Sequence, residues 1–135
     1  MEEPDFDQYP HFSRSEMACK HTGEAFMDET FMERLEDLRV KFGKPMKITS
    51  AYRSPSHPAE AKKAMPGAHS TGRAVDVAVS HNDAYALMRM AMSMGFTGIG
   101  VAQKGDGRFL HLDDVTSGET FASGKKFNRP IVWSY

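Results

Sequence analysis

Arg73-Ala74-Val75-Asp76-Val77-Ala78-Val79 alternates with a period of two, and that alternation decides the fold class. Val75, Val77 and Val79 are branched and apolar on one face, whereas Ala74, Asp76 and Ala78 are small or acidic on the other. The segment predicts a strand with one buried face. It turns Asp76 away from the core, between two alanines that leave room for something to approach. Arg108–Asp113 behaves in the same way: Leu110 and Leu112 take one face, and Phe109, His111 and Asp113 take the other. His111 is therefore presented on the non-core side, as Asp76 is.

Working outward, Asp28 to Phe42 predicts a helix, with Asp28 as N-cap and Phe31, Leu35, Leu38 and Phe42 at three-to-four-residue spacing. Gly43 and Pro45 end it. Met46–Arg53 predicts a strand, closed by Ser54-Pro55. Residues 54–71 form a long loop with a helical turn at Ala59–Ala64. Ser80 with Asp83 opens another helix, with Ala84, Leu87, Met88 and Ala91 on its buried stripe and Gly95 at its end. Phe96–Val101 is a further strand and Lys104–Gly107 a turn. At the front, residues 1–12 form a polar arm that packs through Tyr9 and Phe12, and Ser13 with Glu16 has the capping-box spacing for a short helix through Met17 to Lys20. The sum is an α+β domain, with helices on one side of a small, mainly antiparallel sheet.

With 135 residues, 40% of them hydrophobic, one domain over 1–135 is expected. A formal charge of −1 gives no broad positive surface for nucleic acid, so no nucleic-acid partner is expected. No stretch approaches the roughly 18 apolar residues of a membrane span. The opening MEEPDFDQYP is acidic where a secretory leader is basic and then apolar, so synthesis in the cytoplasm without a signal peptide is expected. Cys19 is the one cysteine, which excludes an internal disulfide. A monomer is the default expectation.

His69 lies seven residues before Asp76, in the loop that leads into its strand. His69, Asp76 and His111 would supply two imidazole nitrogens and one carboxylate oxygen, with a fourth place left for water. That is the composition of a catalytic zinc site. The plainer reading is a pair of hydrogen-bonded structural histidines; the shared facing of Asp76 and His111 favours the metal.

The chain resembles the zinc D-Ala-D-Ala carboxypeptidases and peptidoglycan endopeptidases of the M15 type, which include phage endolysins and share a fold with the hedgehog signalling domain. The resemblance runs through His11–Glu16, Ile48-Thr49-Ser50-Ala51-Tyr52-Arg53-Ser54-Pro55, Gly67–Val77, Gly98-Ile99-Gly100, Phe109-Leu110-His111-Leu112-Asp113 and, more loosely, Arg129–Trp133. Its most specific part is the His-x6-Asp segment followed by Phe-Leu-His-Leu-Asp. It implies a hedgehog/DD-peptidase-like fold, with His69, Asp76 and His111 as zinc ligands and Arg53 as the arginine that holds the substrate peptide or the charge developing on its carbonyl. A planar, permanently charged guanidinium suits either task. The plainer reading of Arg53 is a surface cation at a strand end.

One departure concerns the general base, which family members commonly carry three residues before the second zinc-binding histidine. Here that position is Arg108. Asp106 in the turn is the preferred substitute, while Asp113 is expected to orient a ligand histidine or to pair with an arginine. Elsewhere, His11, His21, His57 and His81 read as solvated, with His57 in a loop that should border the cleft. Lys125, Lys126 and Arg129 read as a solvated basic patch. The resemblance implies a zinc peptidase that hydrolyses a bond in peptidoglycan stem peptides and acts on the cell wall, with a phage or bacterial source left open. The rival is a zinc-containing wall-binding or virion module that has lost its base, kept alive by Arg108.

Overall fold

The alternating segment of residues 74–78 is a central strand of a five-stranded sheet in a computed structural model that describes residues 2–135. In chain order the elements are α1 (Arg14–Met17), α2 (Glu29–Phe42), β1 (Lys47–Ser50), α3 (Pro58–Ala61), β2 (Ala74–Ala78), α4 (His81–Ser93), β3 (Gly98–Ala102), β4 (Phe109–Asp113) and β5 (Ile131–Ser134). Single 3₁₀ turns at Phe6–Gln8 and Ala68–Thr71 complete the set. The sheet order is β1-β2-β4-β3-β5. Its first three pairings are antiparallel and β3–β5 is parallel, so the architecture is the expected α+β arrangement with a mainly antiparallel sheet.

Val75, Val77, Ile99, Leu110 and Leu112 bury the inner face of the sheet against Phe31, Met32, Leu35 and Leu38 of α2 and Leu87 and Ala91 of α4. Each such side chain contributes about 1.5–3 kcal/mol on leaving water. Asp28 caps α2 by accepting the Phe31 N–H at 2.9 Å, and Gly43 ends the helix in the left-handed conformation at φ 73°. In the N-terminal arm Tyr9 and Phe12 are buried, as expected.

Several boundaries differ from expectation, for α1 and β1 because the backbone finds a tertiary partner. The Ser13–Glu16 capping box forms, yet α1 stops at Met17 instead of reaching Lys20. The Met17 carbonyl accepts the Tyr52 N–H at 3.1 Å, and Cys19 N–H turns to the Glu24 carbonyl at 2.6 Å. Strand β1 is shorter than Met46–Arg53. A register shift between Ile48 and Ser50 bends the chain out of the sheet, and the Arg53 N–H then donates to the His69 carbonyl at 3.2 Å. The helical turn of the long loop is Pro58–Ala61, earlier than Ala59–Ala64. Ser80 stands at the cap of α4 without a side-chain cap bond, and the Asp83 carboxylate pairs with Lys44 at 2.6 Å. Strand β5 was not expected at all.

Candidate metal centre

Strand register brings the first two candidate ligands together. Asp76 of β2 lies directly opposite His111 of β4, both on the face turned from the helices. His111 Nδ1 is 3.2 Å from Asp76 Oδ1. His69, carried by the 3₁₀ turn ahead of β2, places Nε2 3.3 Å from the same oxygen. The two imidazoles meet edge to face with centroids 5.0 Å apart, and the three donor atoms lie within 4.8 Å of one another. All three residues are buried. They form the one cluster of potential metal ligands among the described residues.

The outer nitrogens of both rings are engaged. His69 Nδ1 is 2.8 Å from the Ala51 carbonyl, an acceptor that the departure of the chain from β1 leaves free for it. His111 Nε2 is 2.7 Å from Asp113 Oδ2. A carbonyl and a carboxylate accept, so each of these nitrogens carries the proton, and a neutral ring then turns a lone pair towards Asp76. Two lone pairs and a carboxylate oxygen repel unless a cation or extra protons sit between them, and that donor set fits a divalent ion such as zinc. The acid–base directions agree. Burial would push the Asp76 carboxyl up, but its hydrogen bonds with His111 and His69 outweigh it and hold the group well below the usual carboxylate range. Burial would lower His111, but Asp113 and Asp76 raise it.

Around the cluster is a cleft of about 350 Å³. Arg53 forms part of one wall. Its Nε donates to Ser50 Oγ at 3.1 Å, its Nη1 lies 3.4 Å from Glu60 Oε2, and its Nη2 lies 3.8 Å from Asp76 Oδ2. Glu60 is fully buried and also accepts the Gly67 N–H at 2.7 Å and Lys63 Nζ at 3.0 Å. The other wall is aromatic, built from Phe109, Phe127, Trp133 and Tyr135. Gly100 makes that wall possible, since a Cβ there would lie 2.8 Å from the Trp133 ring and 2.9 Å from the His111 Cβ.

Asp106 is not brought to the cluster. It sits exposed at the tip of the β3–β4 hairpin and shares a separate depression with Ser80, His81 and Arg108. The turn that carries it does not line the cleft around His111. The cleft-facing position at the start of β4 belongs instead to Phe109. Asp113 is fully buried behind His111 and pairs with an arginine as well, matching the role expected of it. Asp76 is consequently the one carboxylate among the described residues that line the cleft.

Other residues also moved. Arg129 is no part of a solvated patch, since its fork grips Asp113 at 2.9 and 2.7 Å. His57 caps α3 by accepting the Ala59 N–H at 3.0 Å and borders a small neighbouring pocket rather than the main cleft. Glu60, Trp133 and Tyr135 were missed. The apolar run Ile131-Val132-Trp133 was the available signal for β5, while nothing local to Glu60 marks it.

Residues 10–113 match the Peptidase M15 family. The chain belongs to the M15 peptidase family. The matched span covers about three quarters of the chain and includes His69, Asp76, His111 and Arg53. No curated protein matches the chain at significance. Membership in M15 points to a hydrolase of the metallopeptidase kind, and the His69–Asp76–His111 cluster is suited to hold its metal. The segment after Asp113, with Arg129, Trp133 and Tyr135, lies outside the matched span.

Proposed function

We propose that this chain is a zinc metallopeptidase that hydrolyses a peptide bond in peptidoglycan stem peptides. The observation that carries the proposal is the convergence of His69 Nε2, His111 Nδ1 and Asp76 Oδ1, with the outer nitrogen of each ring held by an acceptor. When bound, zinc supplies Lewis acidity that lowers the pKa of water towards about 7 and polarises a carbonyl. Arg53, anchored by Ser50 and Glu60 and one-quarter exposed, offers its guanidinium to a substrate carboxylate or to the oxyanion of the tetrahedral state. The aromatic wall excludes water from the opposite side and strengthens these charges. Asp76 Oδ2, the oxygen not shared by the two histidines, lies 3.8 Å from Arg53 Nη2. The protein is proposed to meet its substrate at the cell wall, as a monomer, without a nucleic-acid or membrane partner. No helix among the described residues is long and apolar enough to cross a membrane.

One observation favours a second reading, a zinc-containing wall-binding or virion module. The cleft holds no carboxylate other than Asp76, and Asp76 is held well below the usual range, which makes it a weak base. Metal analysis and mass spectrometry of muropeptide digests separate the two. The peptidase is expected to carry about one zinc per chain, to lose it in His69→Ala, and to shorten or split the stem peptide. A wild type that binds no zinc removes both readings. A zinc-loaded wild type that leaves every muropeptide intact leaves only the module.

A further inference from the structure

We infer that Arg129 is a positioning residue for the metal centre, acting through Asp113 on the ring of His111, so that the segment beyond the family-matched span completes the site. The inference rests on the metal-centre reading above. Arg129 lies sixteen residues after Asp113 in sequence. Its Nε donates to Asp113 Oδ1 at 2.9 Å and its Nη2 to Asp113 Oδ2 at 2.7 Å. Two parallel bonds from a planar fork fix the plane of a carboxylate, which one bond from an ammonium does not. Oδ2 of the same group also accepts the His111 Nε2 proton at 2.7 Å. The order Arg129, Asp113, His111, Asp76 is thus a continuous chain of contacts that runs through the proposed ligand atom, His111 Nδ1.

The geometry explains why the fork matters. An imidazole turned over about its Cβ–Cγ bond would present the carbon Cδ2 in place of Nδ1 to Asp76, and what opposes the turn is the Nε2–H···Oδ2 bond. That bond keeps its direction only while the Asp113 carboxylate cannot rotate. Arg129 is itself held: its N–H donates to Ser117 Oγ at 2.7 Å, and its guanidinium lies 5.1 Å from the Phe127 ring centre and 5.4 Å from that of Trp133. Space for the carboxylate comes from Gly98, where a Cβ would overlap both oxygens of Asp113. A bare ion pair fastening the tail would need none of this alignment with His111.

The test compares zinc affinity, by competition with a chromophoric chelator, in wild type, Arg129→Met and Arg129→Lys, alongside nitrogen-15 spectra of the histidine rings in the zinc-loaded proteins. Folding is checked by circular dichroism. Arg129→Met is expected to bind zinc about ten- to a hundred-fold more weakly, and Arg129→Lys to recover only part of that loss. The wild-type His111 ring should show metal at Nδ1 and a slowly exchanging proton on Nε2, with that protection lost in Arg129→Met. A folded Arg129→Met with wild-type affinity and an unchanged Nε2 proton overturns the inference and leaves an ion pair that ties down the tail. Should Arg129→Met fail to fold, the wild-type spectrum alone decides: metal on Nε2 of His111 overturns the inference, and metal on Nδ1 with a protected Nε2 proton supports it. A wild type that takes up no zinc removes the metal centre itself, a result distinct from failure at Arg129.

Discussion

The two halves of the site are held in place by different means. Asp76 and His111 sit opposite each other because β2 and β4 pair in register over a buried apolar face. Arg53, His69 and Arg129 come from irregular chain, and each is held by a buried polar partner: Glu60, the Ala51 carbonyl and Asp113. The strand half takes its placement from pairing over the hydrophobic core, with the His111 ring further held by Asp113. The loop half depends on two fully buried carboxylates, Glu60 and Asp113, each accepting several donors. Damage to the core should therefore cost stability while sparing the site in whatever folds, and damage to the carboxylates should disturb the site along with a smaller loss of stability.

The largest effect tests the core. Leu112→Ala removes a fully buried side chain from β4, beside His111 but on the opposite face. It is expected to destabilise by about 3–4 kcal/mol in urea unfolding while zinc affinity per folded chain stays at the wild-type value. Altered affinity would mean that the strand half is coupled to packing more tightly than register implies. Glu60→Gln comes next. It leaves Lys63 and Arg53 facing a neutral amide and is expected to cost about 2 kcal/mol, within the range for a charged group that loses its partner. Because Arg53 is then free to swing, KM should rise more than kcat falls. An unchanged KM would detach Arg53 from substrate holding.

How far the sequence alone reaches follows the same division. The alternation of Val75, Asp76 and Val77, and of Leu110, His111 and Leu112, exposes strand, facing and both candidate ligands, because a period of two is a local property. His69 was legible through its spacing within a recognisable segment. The partners in the loop half were hidden, since nothing near Glu60 or Arg129 announces a contact made across the fold. Arg129 beside two lysines looked like solvated surface, and only the parallel pairing of β5 with β3 brings it to Asp113. Asp106 shows the opposite case: a turn just ahead of the strand suggests reach to the candidate metal site, whereas the hairpin tip opens onto a depression of its own beside His81 and Arg108.

Titration of the metal-free protein compares the two halves again. Burial would raise Asp113, but hydrogen bonds from His111 and Arg129 hold it low, and Asp76 is held low by His111 and His69. Groups with depressed native values contribute stability that is present above their unfolded value of about 3.9 and is lost as pH falls through the native one. His111 runs the other way. Its native value is raised, so its contribution is complete below about pH 6.5 and disappears as pH climbs through the native value. Metal-free protein should be most stable between those limits, measured as the urea midpoint against pH. Zinc replaces the proton shared within the cluster, so loading should abolish the alkaline decline. An alkaline decline that persists with zinc would place the titrating group outside the cluster.

The smallest expected effect belongs to Asp106→Ala, and it bears directly on the hairpin tip as a source of catalysis. The side chain is exposed, makes no hydrogen bond or ion pair among the described residues, and shares its depression with Arg108 and His81 instead of His111. Stability should change by no more than about 0.5 kcal/mol, as for surface substitutions away from special features. Turnover of a stem peptide by zinc-loaded protein should match wild type. A base that acts on water must stand within hydrogen-bond reach of it, and Asp106 lies in a depression separate from the cleft unless the hairpin folds over the cleft when substrate binds. A large fall in kcat with unchanged zinc content would demonstrate that closure, and would make the hairpin tip the place where the proton goes.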